Sequence, residues 1–208
     1  MRYLLLVSLL LLASCAASNN STNTTANKPT ATETRTVATP TYGTGKIQVE
    51  IFADFQCPAC IAANDSLMPI FEEYAASGKL MITFRQFPLT SIHKNAKWDA
   101  IAALCSAEGG KYMDYKKALY ALEKSKASKT VTDSERVALA KWIGLDETKF
   151  AACLSTRAFE KQVESDMALG ESRGVNGTPT IFLDGIKLDM SLFKDLNGFR
   201  SFLESRMK

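Results

Sequence analysis

The chain has 208 residues, which is enough for one domain with a sizeable core and additional terminal segments. Its apolar content of 46% and its charged content of 23% are ordinary for a globular protein. The net charge is only +3, and no basic block is interleaved with aromatic residues, which argues against nucleic acid as a partner.

The first fifteen residues have the pattern of an export signal. Met1-Arg2 gives a short positive start, and residues 3–13 form an almost unbroken apolar run that is too short to span a bilayer as a helix. The run ends in Leu12-Ala13-Ser14-Cys15, which resembles the bacterial lipobox. The resemblance implies a signal peptide over residues 1–14 and lipidation of Cys15; an ordinary signal peptide that happens to carry a cysteine is the alternative.

Residues 15–44 have the composition of a flexible tether. They are rich in Ser, Thr, Asn and Ala, and they offer almost nothing to bury. Such a segment cannot offset the entropy lost on ordering, so it is predicted to be disordered. A flexible chain of this length has an end-to-end distance of roughly 30 Å. It would keep the folded domain, residues 45–208, close to a membrane surface.

The folded part opens with two predicted strands around a cysteine motif. Branched apolar residues alternate with polar ones over residues 46–52, which predicts the first strand. Cys57-Pro58-Ala59-Cys60 follows a short loop and opens a helical pattern that extends to residue 77 and that Pro69 should kink. Residues 80–87 then form a second strand.

The rest of the chain is predicted to be a helical block followed by a hairpin and a helix. Helical patterns fill residues 91–170, where Thr132 and Glu135 form a capping box. A strand over 178–183, a tight Asp184-Gly185 turn and a short partner strand follow, and a final helix covers about 191–204. This order predicts a small sheet covered by helices, which is an α/β layered fold.

The two cysteines of the motif are the candidate catalytic residues. A pair separated by two residues at a helix start can close a disulfide with little backbone movement. Cys57 would lie where unpaired helix N–H groups and the helix dipole favour an anion, so its pKa should fall and its thiolate should be the nucleophile. Cys60, one turn further in, would be the shielded resolving thiol. Pro58 suits the first helical position because it lacks an N–H.

A structural disulfide and half of a zinc site are the competing interpretations of this motif. Zinc would need a second such motif or paired histidines, but the chain has one histidine and its other cysteines are far apart. We therefore expect no metal and no cofactor. His93 is expected at a helix start or in packing, and the larger aromatic residues of the helical block are expected to pack the interior: Trp98, Tyr112, Tyr115, Tyr120 and Trp142.

Two segments together resemble one protein family. Residues 52–60 read Phe-Ala-Asp-Phe-Gln-Cys-Pro-Ala-Cys, and residues 174–180 read Gly-Val-Asn-Gly-Thr-Pro-Thr. This combination resembles the DsbA-like branch of the thioredoxin superfamily, and the likeness covers about residues 46–208. It implies a thioredoxin-like α/β fold with a helical insertion, about residues 90–172, between the second strand and the cis-proline strand.

The resemblance also assigns a role to Thr178-Pro179. In that family the Thr-Pro dipeptide has a cis peptide bond and lies against the active-site disulfide. The same arrangement here would let the Thr178 backbone pair with an extended segment of a client protein, as an added strand. Pro179 would shape the groove and block metal capture.

Two departures from the family pattern bear on the chemistry. Ala59 stands where the strongly oxidising members have histidine, so the Pro58-Ala59 dipeptide leaves the oxidising power open. Ile51 stands where many relatives have glutamate, six residues before the first cysteine. Glu50 or Asp54 could serve as the nearby carboxylate, although a solvated or capping role is the expectation for both.

Two further cysteines, Cys105 and Cys153, lie in the predicted helical block. With Cys15 assigned to lipid and the motif to catalysis, an exported protein would tend to pair these two. Members of the resembled family carry a similar pair. Our hypothesis is a structural disulfide between them, and two buried free thiols are the alternative.

These observations predict a dithiol oxidase that gives its disulfide to unfolded or newly exported cysteine-containing proteins. A membrane redox partner would reoxidise it, and the lipid anchor would hold it on the extracytoplasmic side of a bacterial membrane, periplasmic or at the cell surface. Isomerases of this superfamily dimerise through an extra domain, whereas only the tether precedes this one, so a monomer is expected. The alternatives are a reductase or isomerase in the same compartment and a non-enzymatic, metal-binding thioredoxin-like lipoprotein.

Overall fold

The computed structural model describes residues 35–126 and 130–207, and these contain a five-stranded mixed sheet covered by helices. The predicted signal peptide, the lipidated Cys15 and the first part of the predicted tether lie outside the described residues. The strands are β1 (Thr41–Gly43), β2 (Ile47–Ala53), β3 (Leu80–Gln86), β4 (Thr180–Leu183) and β5 (Ile186–Lys187). The helices are α1 (Pro58–Ser66), α2 (Met68–Ala76), α3 (Ala96–Glu108), α4 (Tyr112–Lys126), α5 (Asp133–Trp142), α6 (Glu147–Ser155), α7 (Glu160–Ser172) and α8 (Leu196–Arg206), with a 3₁₀ turn at Met190–Lys194 before the last.

The sheet is built around β2, and its strand order is β1-β3-β2-β4-β5. Ile51 of β2 pairs with Phe84 of the parallel strand β3 and with Ile181 of the antiparallel strand β4. Both faces of β4 are buried, as expected for a strand inside a sheet that helices cover. The segment just before β4 is thereby brought next to the loop that leaves β2, although it is far away in the chain.

The folded part begins earlier than the predicted boundary at residue 45. Residues 35–43 fall within the predicted tether, yet the Arg35 N–H donates to the Ala158 carbonyl at 3.0 Å and the Val37 N–H donates to Gln162 Oε1 at 2.9 Å. Strand β1 pairs with β3 along the sheet edge. A strand of three residues between Thr and Pro residues has no hydrophobic periodicity to reveal it. Gly43 is needed there, because its φ is +86° and a Cβ would lie 2.4 Å from the Leu80 carbonyl oxygen.

The kink predicted near Pro69 is confirmed. The helical segment after the cysteine motif is divided into α1 and α2 at Leu67, and Pro69 occupies the first turn of α2, where a missing N–H costs nothing. The short α1 therefore carries the cysteine motif and turns away into α2, which packs on β3.

The predicted helical insertion between the second strand and the Thr-Pro strand is confirmed as α3–α7. The capping box of α5 is confirmed too: the Glu135 N–H donates to Thr132 Oγ1 at 3.3 Å, and the Thr132 N–H donates to Glu135 Oε2 at 2.9 Å. The predicted interior position of Trp142 is wrong, because this side chain is 77% exposed. The buried face of α5 carries Arg136 and Ala140, and a residue two positions further lies on the opposite side of a helix.

Cys105 of α3 and Cys153 of α6 are joined by a disulfide, with a Cα–Cα distance of 6.0 Å. The bond connects two helices of the insertion, 48 positions apart in the chain. No helix within residues 35–126 and 130–207 is long and apolar enough to cross a membrane.

Candidate active site

The cysteine motif lies at the N-terminus of α1. Cys57 is the N-cap residue, with an extended backbone conformation, and Pro58 occupies the first helical position. Both thiols of the motif are free, and Cys60 is the deeper of the two, with 2% of its surface exposed against 7% for Cys57. The helix start thus holds one sulfur next to the surface and the other one turn inside.

Their surroundings separate the two thiols chemically. The pKa of Cys57 is lowered to about 5, chiefly by a hydrogen bond from the Cys60 thiol, and hydrogen bonds from Thr178 and from the backbone of Cys60 and Ala59 add to this against the opposing effect of burial. Burial, followed by the hydrogen bond to Cys57, raises the pKa of Cys60 far above its ordinary value. At neutral pH, Cys57 is therefore a thiolate and Cys60 a thiol.

Reduced protein is expected to alkylate at Cys57 with a midpoint near pH 5. The rate with iodoacetamide should be flat at neutral pH and fall about tenfold for each pH unit below the midpoint, since only the thiolate reacts. Cys60→Ala should raise the midpoint by removing the main hydrogen-bond donor, whereas Cys60→Ser keeps an O–H donor and should raise it less. A midpoint near 9 in the wild-type protein, the ordinary thiol value, would contradict this assignment.

Thr178 and Pro179 lie against the motif. The peptide bond between them is cis, and Cys57 Sγ lies 3.2 Å from the Thr178 carbonyl oxygen, to which it donates when it is protonated, across 121 positions of the chain. The contact follows from the sheet, because Thr180, the first residue of β4, pairs with Phe52 near the end of β2. The Thr178 hydroxyl is buried without a hydrogen-bond partner among the described residues, so it is free to donate to the Cys57 sulfur when that sulfur is a thiolate.

Asp54 and His93 form hydrogen bonds that hold the loop before the cysteine motif in place. Asp54 is 1% exposed, and its carboxylate accepts from the Gln56 N–H at 2.8 Å, the Leu89 N–H at 2.8 Å and His93 Nδ1 at 2.7 Å. The solvated alternative for this carboxylate is therefore wrong, and its backbone bonds have the capping character that was expected. Glu50 is engaged elsewhere, in ion pairs with Arg85 and Arg173.

A cavity of about 30 Å³ lies beside Cys60. Its wall is mostly apolar and includes Ile51, the position where many relatives carry glutamate, and Pro179. Three ionisable residues of α4 in the insertion also line it: Tyr112, Lys116 and Tyr120. Lys116 was not predicted from the sequence, although helical spacing places it four residues after Tyr112 on the buried face of α4.

A second polar group missed by the sequence analysis lies on the other side of the motif. The Gln56 side-chain amide donates to Asp99 at 2.9 Å and to Glu123 at 3.5 Å. Asp99 is held by the fully buried Arg136 at 2.7 Å. Burial, and then the nearby charge of Asp99, raises the pKa of Glu123 to about 8. Gln56 and Glu123 border an open cleft of about 630 Å³ that is also lined by Pro58.

The described residues contain no group of three or more His, Cys, Asp or Glu side chains placed to hold a metal ion. The arrangement they do contain is that of a redox pair: an acidic thiol, a buried thiol and a cis-proline wall. Such a pair can exchange two electrons with a disulfide or a dithiol through a mixed disulfide at the outer sulfur.

Comparisons with known proteins place the chain in a family. The family model described as thioredoxin matches residues 35–204. The chain is 22% identical over 142 residues to the probable disulfide bond formation protein D of Bacillus anthracis, covering 67% of this chain and 65% of that protein. It is 27% identical over 139 residues to the Na(+)/H(+) antiporter NhaA 3 of Salinispora tropica, where it covers 67% of this chain and only 20% of the antiporter.

A solved structure supports the same fold. BdbD from Bacillus subtilis, in its oxidised form, superposes with a TM-score of 0.71 at 21% identity, covering 81% of this chain and 92% of that chain. The thioredoxin-like fold expected from the sequence is thereby confirmed. The chain belongs to the thioredoxin family.

Proposed function

We propose that the chain is a dithiol oxidase that passes the Cys57–Cys60 disulfide to newly exported cysteine-containing proteins. The observation that carries the proposal is the contrast between the two thiols: the pKa of Cys57 is lowered to about 5, while that of Cys60 is raised. The name of the Bacillus anthracis relative, a probable disulfide bond formation protein, is in line with this direction.

The direction of electron flow follows from the stability of the reduced form. A lowered pKa at Cys57 stabilises the reduced, thiolate-containing protein at every pH above that pKa, and no matching gain exists in the disulfide form. A disulfide whose reduced form is stabilised is a stronger oxidant. The hydrogen bonds at the helix start therefore favour donation of the disulfide over its acceptance.

The transfer takes two steps. A client thiolate attacks the Cys57 sulfur, the bond to Cys60 breaks, and Cys60 leaves with the electron pair and takes up a proton. A second client thiolate then attacks the client sulfur of the mixed disulfide, and Cys57 leaves as a thiolate. The client loses two electrons and the protein gains them, so an external oxidant, a membrane redox partner in this proposal, must restore the disulfide.

Client binding would use the backbone next to Pro179. The Thr178 carbonyl, which accepts from the Cys57 thiol, would accept from a client N–H once that sulfur is engaged in a mixed disulfide. Backbone pairing of this kind is indifferent to side chains, which suits a protein that must act on many unfolded clients. The exposed Ile92 beside the open cleft offers an apolar contact for such clients.

The proposal includes the site of action. Cleavage after residue 14, lipidation of Cys15 and a tether would hold a monomeric domain on the extracytoplasmic side of a bacterial membrane. Metabolic labelling of growing cells with a radioactive or clickable fatty acid would test the anchor: the wild-type chain should be labelled and a Cys15→Ala variant should not. Label retained in that variant would contradict it.

A reductase in the same compartment is the second candidate, and Ala59 is the observation that favours it. This position lacks the histidine that strongly oxidising members have, so one source of thiolate stabilisation is missing. The reduction potential of Cys57/Cys60, measured by equilibration with glutathione, separates the two candidates. A value near about −120 mV supports the oxidase, and a value near about −270 mV would replace it with the reductase.

A further inference from the structure

The wall around the resolving cysteine contains two cationic residues, Arg85, which is ion-paired with Glu50 and Asp166, and Lys116. Lys116 reaches from α4 into the cavity that Cys60 lines, and its side chain is 4% exposed. A lysine this deeply buried loses the hydration of its ammonium group, so its charge needs partners within the protein. In the mechanism above, Cys60 must take up a proton as it leaves, and no group has yet been assigned to provide it.

The contacts of Lys116 fix its position relative to Cys60. Its Nζ donates to Asn64 Oδ1 at 2.9 Å. Asn64 follows Cys60 by four residues on α1, so the two side chains lie on one face of the helix, with Cβ atoms about 5–6 Å apart. The ammonium group also lies 5.8 Å from the centre of the Tyr120 ring, and the charges of Cys60 and Cys57 act on that same tyrosine.

The cavity between them is small and suited to proton transfer. Its volume of about 30 Å³ is enough for a single water molecule, which needs at least roughly 10–15 Å³ of such space. Apolar side chains such as Ile51 and Phe84 form most of the wall. Neither Glu50 nor Asp54 lines it, so no carboxylate in the described part of the chain reaches Cys60 by this route.

We propose that Lys116 exchanges a proton with Cys60 across this cavity when the Cys57–Cys60 disulfide opens and closes. The inference rests on the proposed thiol–disulfide function and adds a residue to it. Lys116 is a positioning and proton-transfer residue from the helical insertion. It lines the same cavity as Ile51 of β2, the position where many relatives carry a glutamate.

The step balances in both directions. On opening, a thiolate forms a bond to the Cys57 sulfur, Cys60 departs with the electron pair of the broken bond, and the Lys116 ammonium gives it a proton, directly or through a water molecule. The lysine is then a neutral amine until it regains a proton from solvent. On closing, the neutral amine takes the proton of the Cys60 thiol, and the resulting thiolate attacks the Cys57 sulfur of the mixed disulfide.

The ionisation of Lys116 suits this exchange. Burial lowers its pKa to about 8, against the opposing effect of Glu72, and the charge of Lys117 lowers it further. Both forms are thus populated near neutral pH, as efficient acid–base transfer requires. The other ionisable groups that face it or share its cavity are Glu72 at 3.8 Å, Lys117, which holds the other oxygen of Glu72, and the cavity-lining side chains Cys60, Tyr112, Tyr120 and Arg85.

The test is the rate at which glutathione opens the disulfide of the oxidised domain, expressed per glutathione thiolate and followed across pH. In the wild-type protein this rate should fall as pH rises through about 8, because the ammonium donor is lost. Lys116→Met should lower the low-pH rate by about 100-fold, the lower end of the range of general acid catalysis, and should abolish the inflection. Lys116→Arg keeps the charge but cannot release a proton at these pH values, so it should also lack the inflection.

Two variants serve as matched controls. Lys117→Met removes the exposed neighbour that pairs with the same Glu72 carboxylate; it should leave the low-pH rate unchanged and keep the inflection, moved to higher pH because the charge of Lys117 no longer lowers the pKa of Lys116. Glu123→Gln removes the other group with a pKa near 8 beside the motif, and the inflection should survive it. An inflection lost in Glu123→Gln but kept in Lys116→Arg would overturn the proposal.

A wild-type profile that is flat through pH 8 would also overturn it, and this measurement does not depend on any variant folding. The proposed function fails separately: it fails if glutathione does not open the wild-type disulfide, or if the reduction potential is that of a reductase. A lysine-independent rate in a protein that reacts with glutathione removes only the role of Lys116.

Discussion

Cys57→Ser is expected to lose disulfide transfer to a reduced client by at least about 1,000-fold, because the variant has no sulfur at the position that clients attack. The low pKa of Cys57 and its place at the exposed start of α1 make it the attacking and attacked sulfur, while the buried Cys60 thiol cannot reach a client. The measurement is the refolding rate of a reduced, disulfide-containing client such as ribonuclease, with glutathione disulfide as terminal oxidant.

Cys60→Ser is the matched variant, and its outcome should differ in kind. Its Cys57 thiolate still forms mixed disulfides, but without Cys60 only a second client thiol can release them, so covalent complexes with clients should last longer and accumulate on non-reducing gels. Cys57→Ser should give none. Equal amounts of complex in the two variants would contradict the assignment of nucleophile and resolving thiol.

Removal of the bond between Cys105 and Cys153 is expected to lower the free energy of unfolding by about 4 kcal/mol. The bond closes a loop across 48 positions, and the chain-entropy relation gives this value for a loop of that length. A Cys105→Ala/Cys153→Ala double variant, compared with its parent by urea denaturation, measures the effect. Serine at Cys57 and Cys60 in both proteins leaves this pair as the difference between them.

Reductant provides the control for that comparison. It should lower the urea midpoint of the parent and leave the double variant unchanged. Recovery of Cys105 and Cys153 as free thiols by peptide mapping under non-reducing conditions, or equal midpoints for parent and variant, would contradict a stabilising disulfide.

The sequence predicted those parts of the fold that depend on local rules. The two strands around the motif, the break near Pro69 and the Thr132–Glu135 cap follow from alternation, ring geometry and side-chain bonds within a few residues. The strand Thr41–Gly43 could not be predicted in this way, because its stability comes from pairing with β3 along the sheet edge. Trp142 was predicted to be buried because it is apolar, but its angular position around the axis of α5 puts it on the exposed side of the helix.

The polar interior of the site was not predicted from the sequence. Helical periodicity was used to find apolar faces, and it therefore passed over Lys116 and Arg136, which lie on those same faces as charged residues. A charged residue three or four positions from buried aromatic or apolar neighbours on a helix is itself a signal of a buried charge. Its partners, such as Asn64 for Lys116, still depend on how the helices pack, which no local rule supplies.

The position of β4 late in the chain has a consequence while the protein is being synthesised on the ribosome. Thr178 follows Cys57 by 121 positions, which corresponds to about 6–24 s at ordinary ribosomal speeds. The motif cysteines therefore emerge well before the segment that will lie against them. The paired cysteines of the described chain emerge in order, Cys57 with Cys60 and later Cys105 with Cys153. With Cys15 blocked by the proposed lipid, an oxidant that joins each new thiol to the nearest free one already made would produce these two pairs in order, without a shuffling catalyst.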